Sequence, residues 1–305
     1  VLFQDQNFLP LLLSESVREA GLFARFTPKA SPLPSAAPSA YARPMDPEKR
    51  RAACDFLYQH WKSGTRCNGL PAAMQPEDRA QAYKVQADIE AYSAKPPVGW
   101  KIAATSKAGQ AHIGVDGPMA GRLLAERALA DGSDFTLGSN LMKVAEMEFA
   151  FRFGEEIDPR AAPYSQREVL ARVATLHPAI ELPDSRYQHF EKVGDLQLIA
   201  DNACAHYFII GKAAPEKWRS LDLAQFVVHG MRNSGLAESG TGANVLGDPR
   251  IALTWLVNEL SHFGYPVMKD QVVITGTCVK PMAIAVGDRI EGDFGELGTI
   301  RVRIV

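Results

Sequence analysis

Glu146 and Glu148 stand two residues apart in Val144-Ala145-Glu146-Met147-Glu148-Phe149-Ala150-Phe151, an otherwise apolar run of strand-forming residues. Alternate residues of a strand share a face, so the two carboxylates point the same way. Like charges held side by side repel unless something neutralises them, most simply a hard divalent cation that prefers oxygen ligands. The competing reading is a strand with one solvated polar face, common in antiparallel sheets. The neighbours weigh against it. Val144, Phe149 and Phe151 argue for a strand wrapped in core. A third carboxylate, Glu181, ends another apolar run, His177-Pro178-Ala179-Ile180-Glu181-Leu182, where a lone charge is equally out of place.

Lys101 is the next candidate. It lies in Gly99-Trp100-Lys101-Ile102-Ala103-Ala104-Thr105-Ser106, a short strand running into a polar turn. A lysine between bulky apolar residues is either an edge lysine whose stem covers apolar surface or a buried proton donor or acceptor.

The elements that must position these residues follow from punctuation and period. Asp46 as N-cap and Pro47 at the first helical position open a helix to about Lys62, with Gly64 as its stop. A second helix is expected over 77–92. After the Lys101 strand, 114–121 reads as loop and 123–129 as an apolar stretch with Glu126 embedded. Short helices are expected at 165–174 and, introduced by Asp248-Pro249, at 251–263. Strands are expected at 205–211, 226–231, 271–275, 282–286, 289–294 and 299–305, with turns at Gly276, Gly287-Asp288 and Gly295. Helices early and strands late favour α+β over an alternating doubly wound fold. There is no internal repeat, P-loop, G-x-G-x-x-G fingerprint or G-x-S-x-G elbow.

With 46% apolar and 22% charged residues, the 305-residue chain has a globular composition and ample material for a core. Its net charge of -2 gives no electrostatic reason to expect a nucleic acid or a membrane surface as partner. Cys54, Cys67, Cys204 and Cys278 are far apart and without C-x-x-C pairing, which argues against a zinc module or disulfide scaffold and fits a reducing cytoplasm. The apolar run at 8–13 is too short to span a bilayer, and no secretory leader is expected. Residues 27–44 are dominated by Pro, Ala and Ser, so 1–44 is expected to be a disordered or extension tail.

Taken in order, Gly99-Trp100-Lys101-Ile102, Glu146-x-Glu148, Glu181 with Ser185-Arg186, Asp201-Asn202-Ala203, Leu246-Gly247-x-Pro249 and Thr275-Gly276 through Gly287-Asp288 resemble the hydratase/decarboxylase branch of the fumarylacetoacetate hydrolase superfamily. The likeness covers roughly Met45 to Val305. It implies a mixed β-roll at 99–305 with an N-terminal helical part at 45–98. It also implies Mg²⁺ or Mn²⁺ held by Glu146, Glu148 and Glu181, Lys101 as the acid/base residue, and Thr105, Ser106, Ser185, Arg186, Asp201, Asn202, Thr275, Gly276 and Thr277 as substrate-binding residues. The activity so implied is hydration of a 2-hydroxy-2,4-dienoate to a 4-hydroxy-2-oxo acid in aromatic-compound catabolism, by a homo-oligomer whose partner is that small 2-oxo or 2-hydroxy acid. Decarboxylation of a 2-oxo acid of the 4-oxalocrotonate type, C–C hydrolysis of an acylpyruvate with His112 or His177 as base, and an inactive metal-binding subunit are the alternatives.

This chain departs from the pattern at two places. Pro118-Met119 stands where relatives often carry Pro-Asp, which leaves Glu126 as a substitute acid or as a surface charge, with Asp116 competing. Cys204 stands where relatives often carry Ser, and a small buried thiol is the simpler reading than a nucleophile.

Overall fold

The computed structural model describes residues 44–305; the apolar run at 8–13 and all but the last residue of the expected tail lie outside them. Helix α1 (Pro47–Ser63) begins and ends as its sequence dictates. The Asp46 side chain accepts from the backbone N–H of Glu48 and Lys49, and Gly64 closes the helix in the left-handed conformation, φ 69°. The expected helix at 77–92 is an α-helix only over α2 (Arg79–Ala87) and continues as a 3₁₀ turn to Tyr92.

The chain then runs β1 (Gly99–Ala103), α3 (Lys107–Ile113), β2 (Met119–Leu123), the two-residue strands β3 (Ala128–Leu129) and β4 (Asp134–Phe135), and β5 (Val144–Phe153). It continues with α4 (Gln166–Ala171), β6 (Val173–Leu182), α5 (Asp195–Ala200), β7 (Tyr207–Ile210), β8 (Val227–Arg232), β9 (Gly235–Thr241) and α6 (Pro249–His262). It ends with β10 (Val272–Thr277), β11 (Met282–Ala283), β12 (Arg289–Asp293) and β13 (Thr299–Ile304). Helix α3 and strand β9 fall where no element was expected, and strand β2 overlaps the expected loop at 114–121. Among the described residues no helix is long and apolar enough to cross a membrane.

The strands form an α+β fold of two mixed sheets. The larger has the order β2-β1-β10-β5-β6-β7-β3, with β11 added to β5, and the smaller the order β4-β13-β12-β8-β9. The β1/β10, β3/β7 and β4/β13 pairs are parallel and the rest antiparallel. Strand β5 lies between β10 and β6, and its period-2 pattern divides its two faces. Ala145, Met147, Phe149, Phe151 and Phe153 are fully buried on one face. There the Phe149 ring meets that of Phe294, just after β12, edge-on at 5.4 Å, so this face packs on the smaller sheet. The other face carries Glu146 and Glu148 and, further along, Ala150, which joins Leu123, Ala179, Phe208, Val272 and Ile274 in a small apolar cluster.

The N-terminal helices are tied to the larger sheet by polar contacts that composition does not reveal. The buried Gln86 amide donates to the carbonyls of Ala120 and Ile199, both at 2.8 Å, and the Tyr83 hydroxyl accepts from Ala120 N–H. On α1, Trp61 stacks with the guanidinium groups of Arg127 and Arg186, each 4.5 Å from its ring. Its Nε1–H donates to His206 Nδ1 at 2.7 Å. Burial pushes His206 down to about 2, with the charges of Arg186, Arg127 and Arg66 adding to it, so the ring stays neutral and can accept.

Candidate active site

Four neighbouring strands bring the candidate residues onto one face. In the β5/β6 register Glu146 lies opposite Glu181, and cross-strand partners share a face. Glu148 pairs with Thr277 across a bulge in β10, while Lys101 on β1 lies beside Ile274 of β10. Glu146, Glu148 and Glu181 each offer a carboxylate oxygen within 4.8 Å of the others. Lys101 Nζ is 3.0 Å from Glu181 Oε1 and donates to the Ala203 carbonyl at 3.1 Å.

The face is buried. Glu148 and Glu181 have essentially no exposed surface and Lys101 only 3%, while Glu146 is partly open to the cavity. Burial raises all three carboxyls. Glu146 rises to about 7, the Glu181 charge adding and Lys101 opposing. Glu148 rises well above the usual range, first by burial and then by the Glu181 and Glu146 charges. Glu181 rises by burial against the pull of Lys101. For Lys101, burial works against the charge, but Glu181, Glu146 and Glu148 together outweigh it and hold the ammonium above its ordinary value.

Several carboxylate oxygens lack partners. Glu148 Oε2 accepts from Gly276 N–H at 2.6 Å, but Glu148 Oε1 and Glu181 Oε2 have no hydrogen-bond partner. Glu181 Oε1 meets Lys101 as an ion pair without hydrogen-bond alignment. Each such buried oxygen costs about 1–3 kcal/mol or more. Clustered anionic oxygens without donors are the donor set of a hard divalent cation, and the residues present fit one.

Above this face lies a cavity of about 720 Å³. Lys101, Glu146, Thr105, Ser106, Gly276 and Thr277 line it, together with Met119 and Cys204. Gly276 is required there: its φ is +105°, and a Cβ would lie 2.1 Å from Thr105 Oγ1. Ser106 caps α3 through its Oγ, which accepts from Gly109 N–H. Thr277 Oγ1 donates to the Val279 carbonyl at 2.7 Å. Asn244, which the sequence did not single out, also lines the cavity and is fixed by donation to the Cys278 carbonyl. Burial pushes the Cys204 thiol up to about 12, so it behaves as a compact apolar group and not as a nucleophile.

Other expected site residues lie elsewhere. Glu126 is exposed, and its carboxylate accepts from Ser93 Oγ and Ala94 N–H, both at 2.8 Å. It caps a surface turn and does not line the cavity, which corrects its placement as a catalytic acid. Asp116 is exposed and likewise absent from the lining. Met119 is buried in the cavity wall, so that position supplies no acid. His112 is at the cavity, but His177 is engaged by Thr175 and by the Gly211 carbonyl, away from it. Thr275 is buried beneath the face and donates to the Phe149 carbonyl.

Ser185, Arg186, Asp201 and Asn202 are also absent from the lining; they form the support beneath it. Asp201 is paired with the Arg186 guanidinium and accepts from Ser185 Oγ at 2.8 Å. Asn202 Oδ1 accepts from Arg122 N–H at 2.6 Å, while its Nδ2 donates to the Arg122 carbonyl at 2.9 Å. These contacts hold Asn202, Ala203 and Cys204 at φ 55°, 50° and 61°. The left-handed region costs about 1–2 kcal/mol per residue, and its use here aims the Ala203 carbonyl at Lys101. Gly121 leaves room for the turn, since a Cβ there would lie 2.4 Å from the Asn202 carbonyl oxygen. Asn202→Ala strips Arg122 of both backbone partners in a buried place. The expected loss of stability is about 1–3 kcal/mol, measured by urea unfolding, and an unchanged midpoint would remove Asn202 from this support.

Fold and site together are those of an enzyme whose substrate is a small molecule. No protein-family model matches the chain. It is 30% identical over 226 residues to 2-keto-4-pentenoate hydratase 1 of Dechloromonas aromatica, covering 73% of this chain and 84% of that one. It is 31% identical over 208 residues to 2-hydroxyhexa-2,4-dienoate hydratase of Comamonas testosteroni, covering 68% and 77%. Among solved structures, 4-oxalocrotonate decarboxylase from Pseudomonas putida G7, complexed with magnesium and adipate, superposes with a TM-score of 0.78 at 26% identity, covering 86% of this chain and all of that one. The chain belongs to the hydratase/decarboxylase branch of the fumarylacetoacetate hydrolase superfamily.

Proposed function

We propose that this chain is a hydro-lyase that adds water to a 2-hydroxy-2,4-dienoate to give a 4-hydroxy-2-oxo acid, with Mg²⁺ or Mn²⁺ held by Glu146, Glu148 and Glu181. The observation that carries this reading is the buried carboxylate triad with orphaned oxygens, set 3.0 Å from a buried lysine at the floor of a cavity. Relatives named as hydratases of such acids support the substrate class. A divalent cation on this triad supplies Lewis-acid stabilisation of the 2-oxo acid and its enolate.

The chain's own groups handle the protons. Lys101 Nζ, fixed by Glu181 and the Ala203 carbonyl, delivers a proton to C5 as the C2 hydroxyl of the dienol loses its own, which gives the conjugated 2-oxo-3-enoate. Water then adds at C4 and C3 takes a proton, so that one water is consumed with no redox change. Thr105, Ser106 and Thr277 line the same cavity and would meet the acid's polar head. Apart from Glu146, no cavity-lining side chain in the described residues is acidic, so Lys101 and water must suffice without a loop acid.

Decarboxylation is the second reading, favoured by the overlay on 4-oxalocrotonate decarboxylase. It uses the same enolate but releases CO₂. The test is an ultraviolet assay of dienol loss over 2-hydroxy-2,4-dienoates and 4-oxalocrotonate, with product identification by NMR. A 4-hydroxy-2-oxo acid formed with Mg²⁺ and not in excess chelator is the expected result. CO₂ as the product replaces hydratase by decarboxylase, and turnover undiminished by chelator removes the metal from the reading.

A further inference from the structure

The cavity changes character along one strand direction, and that change bears on the tail of the substrate. Glu148, Glu146 and Val144 follow one another on the same face of β5, so the wall turns from carboxylate to aliphatic within about 7 Å of Glu146. Beyond Val144 it is continued by Leu141 and Met142. Helix α3 and the turn at 190–192 add further apolar lining. There Ile113 and Phe190 line the cavity, and the Phe190 ring meets His112 edge-on at 6.4 Å. Among the described residues no arginine lines the cavity, and the one lining lysine away from the floor, Lys280, is exposed and without a partner. A lysine so placed keeps its ammonium in water.

Size points the same way. A five-carbon acid held by its carboxylate and 2-oxygen at the triad leaves only three carbons to fill the rest of about 720 Å³, a volume in the range that takes drug-sized ligands. Resting on the 2-oxo acid reading of the site, we propose that the substrate carries an extended apolar substituent beyond C4, seated among the cavity-lining side chains of Val144, Met142, Ile113 and Phe190, and not a second carboxylate.

The test is calorimetric titration of the Mg²⁺-loaded full chain with unreactive saturated 2-oxo acids: 2-oxobutanoate, 2-oxohexanoate, 2-oxooctanoate and 2-oxoadipate. Each buried methylene is worth about fourfold in affinity. 2-Oxooctanoate, longer than 2-oxobutanoate by four methylenes, is therefore expected to bind at least tenfold tighter, with roughly 250-fold as the limit for full burial of all four, and 2-oxoadipate no tighter than 2-oxohexanoate. Phe190→Ala is expected to narrow the gap between the longest and shortest acids while leaving 2-oxobutanoate unchanged. The wild-type series needs no variant, so misfolding of Phe190→Ala does not spoil it. A flat series overturns the proposal. So does tightest binding of 2-oxoadipate that is lost in Lys280→Ala, which would assign a dicarboxylate. Binding is read without turnover, so a chain that hydrates no dienoate yet keeps the apolar preference refutes the hydratase reading alone.

Discussion

Lys101→Ala lowers kcat by about two to four orders of magnitude, the scale of general acid/base catalysis, while KM stays within a few-fold of wild type. Among the described residues Lys101 Nζ is the only proton-bearing cation at the floor of the cavity, with Glu181 on one side and the Ala203 carbonyl on the other. Three neighbouring carboxylates hold it protonated. A divalent cation held by the triad would offset much of that negative field and so favour release of the proton from Lys101. The alanine variant also deletes the cation paired to Glu181. Its interpretation therefore needs Lys101→Met, which keeps the apolar stem, alongside a Mg²⁺ titration by thermal shift. Loss of kcat with Mg²⁺ binding retained assigns proton transfer. Wild-type kcat in either variant returns Lys101 to an ion-pairing role.

The parts of this site legible in the sequence are those set by local period and by burial contrast. Glu146 and Glu148 stood out because charge is rare in an apolar strand, and Glu181 for the same reason; the register that places Glu181 opposite Glu146 was not legible, because strands buried on both faces lack the one-sided polar pattern that fixes pairing. Asp46, Pro47 and Gly64 gave the limits of α1 because capping is a local interaction. Helix α3 escaped notice because seven residues with a central glycine show no apolar period. Strand β9 escaped it because Gly235-Leu236-Ala237-Glu238-Ser239-Gly240-Thr241 is exposed over much of its length and has no buried face to pattern.

Arg186 and Asp201 illustrate a different limit. The resemblance implies that they bind substrate, yet they are buried against each other 15 positions apart. No local pattern distinguishes a polar side chain that meets a ligand from one that meets another side chain. The same limit applies to Glu126, whose apolar sequence neighbours Leu123 and Leu124 are buried while its own carboxylate turns outward. What those support residues achieve is the left-handed turn at 202–204, and through it the position of the carbonyl that Lys101 uses.

Glu148→Gln should change the protein in opposite directions with and without metal. Without metal, three buried carboxylates face one lysine, and burial together with the Glu181 and Glu146 charges holds Glu148 well above the usual carboxylate range. A carboxyl raised in the folded state contributes stability that is present at low pH and is lost as pH rises through its folded value. Replacing it by the isosteric neutral amide removes that loss. The amide oxygen of the variant side chain can still accept from Gly276 N–H as Glu148 Oε2 does, so the metal-free variant is expected to be more stable than wild type by about 1–2 kcal/mol, the lower part of the range for relieving a buried charge, most clearly above neutral pH. With metal the order reverses. Wild type at a hundredfold excess of Mg²⁺ over its dissociation constant gains about 2.7 kcal/mol, whereas the variant, with one anionic ligand gone, gains little at the same concentration, and its turnover falls with it. Thermal unfolding of both proteins in chelator and in Mg²⁺, at acidic and alkaline pH, reads all four corners. A metal-free variant less stable than wild type, or an equal Mg²⁺ shift in the two proteins, would show that Glu148 is held by the fold and not by a cation.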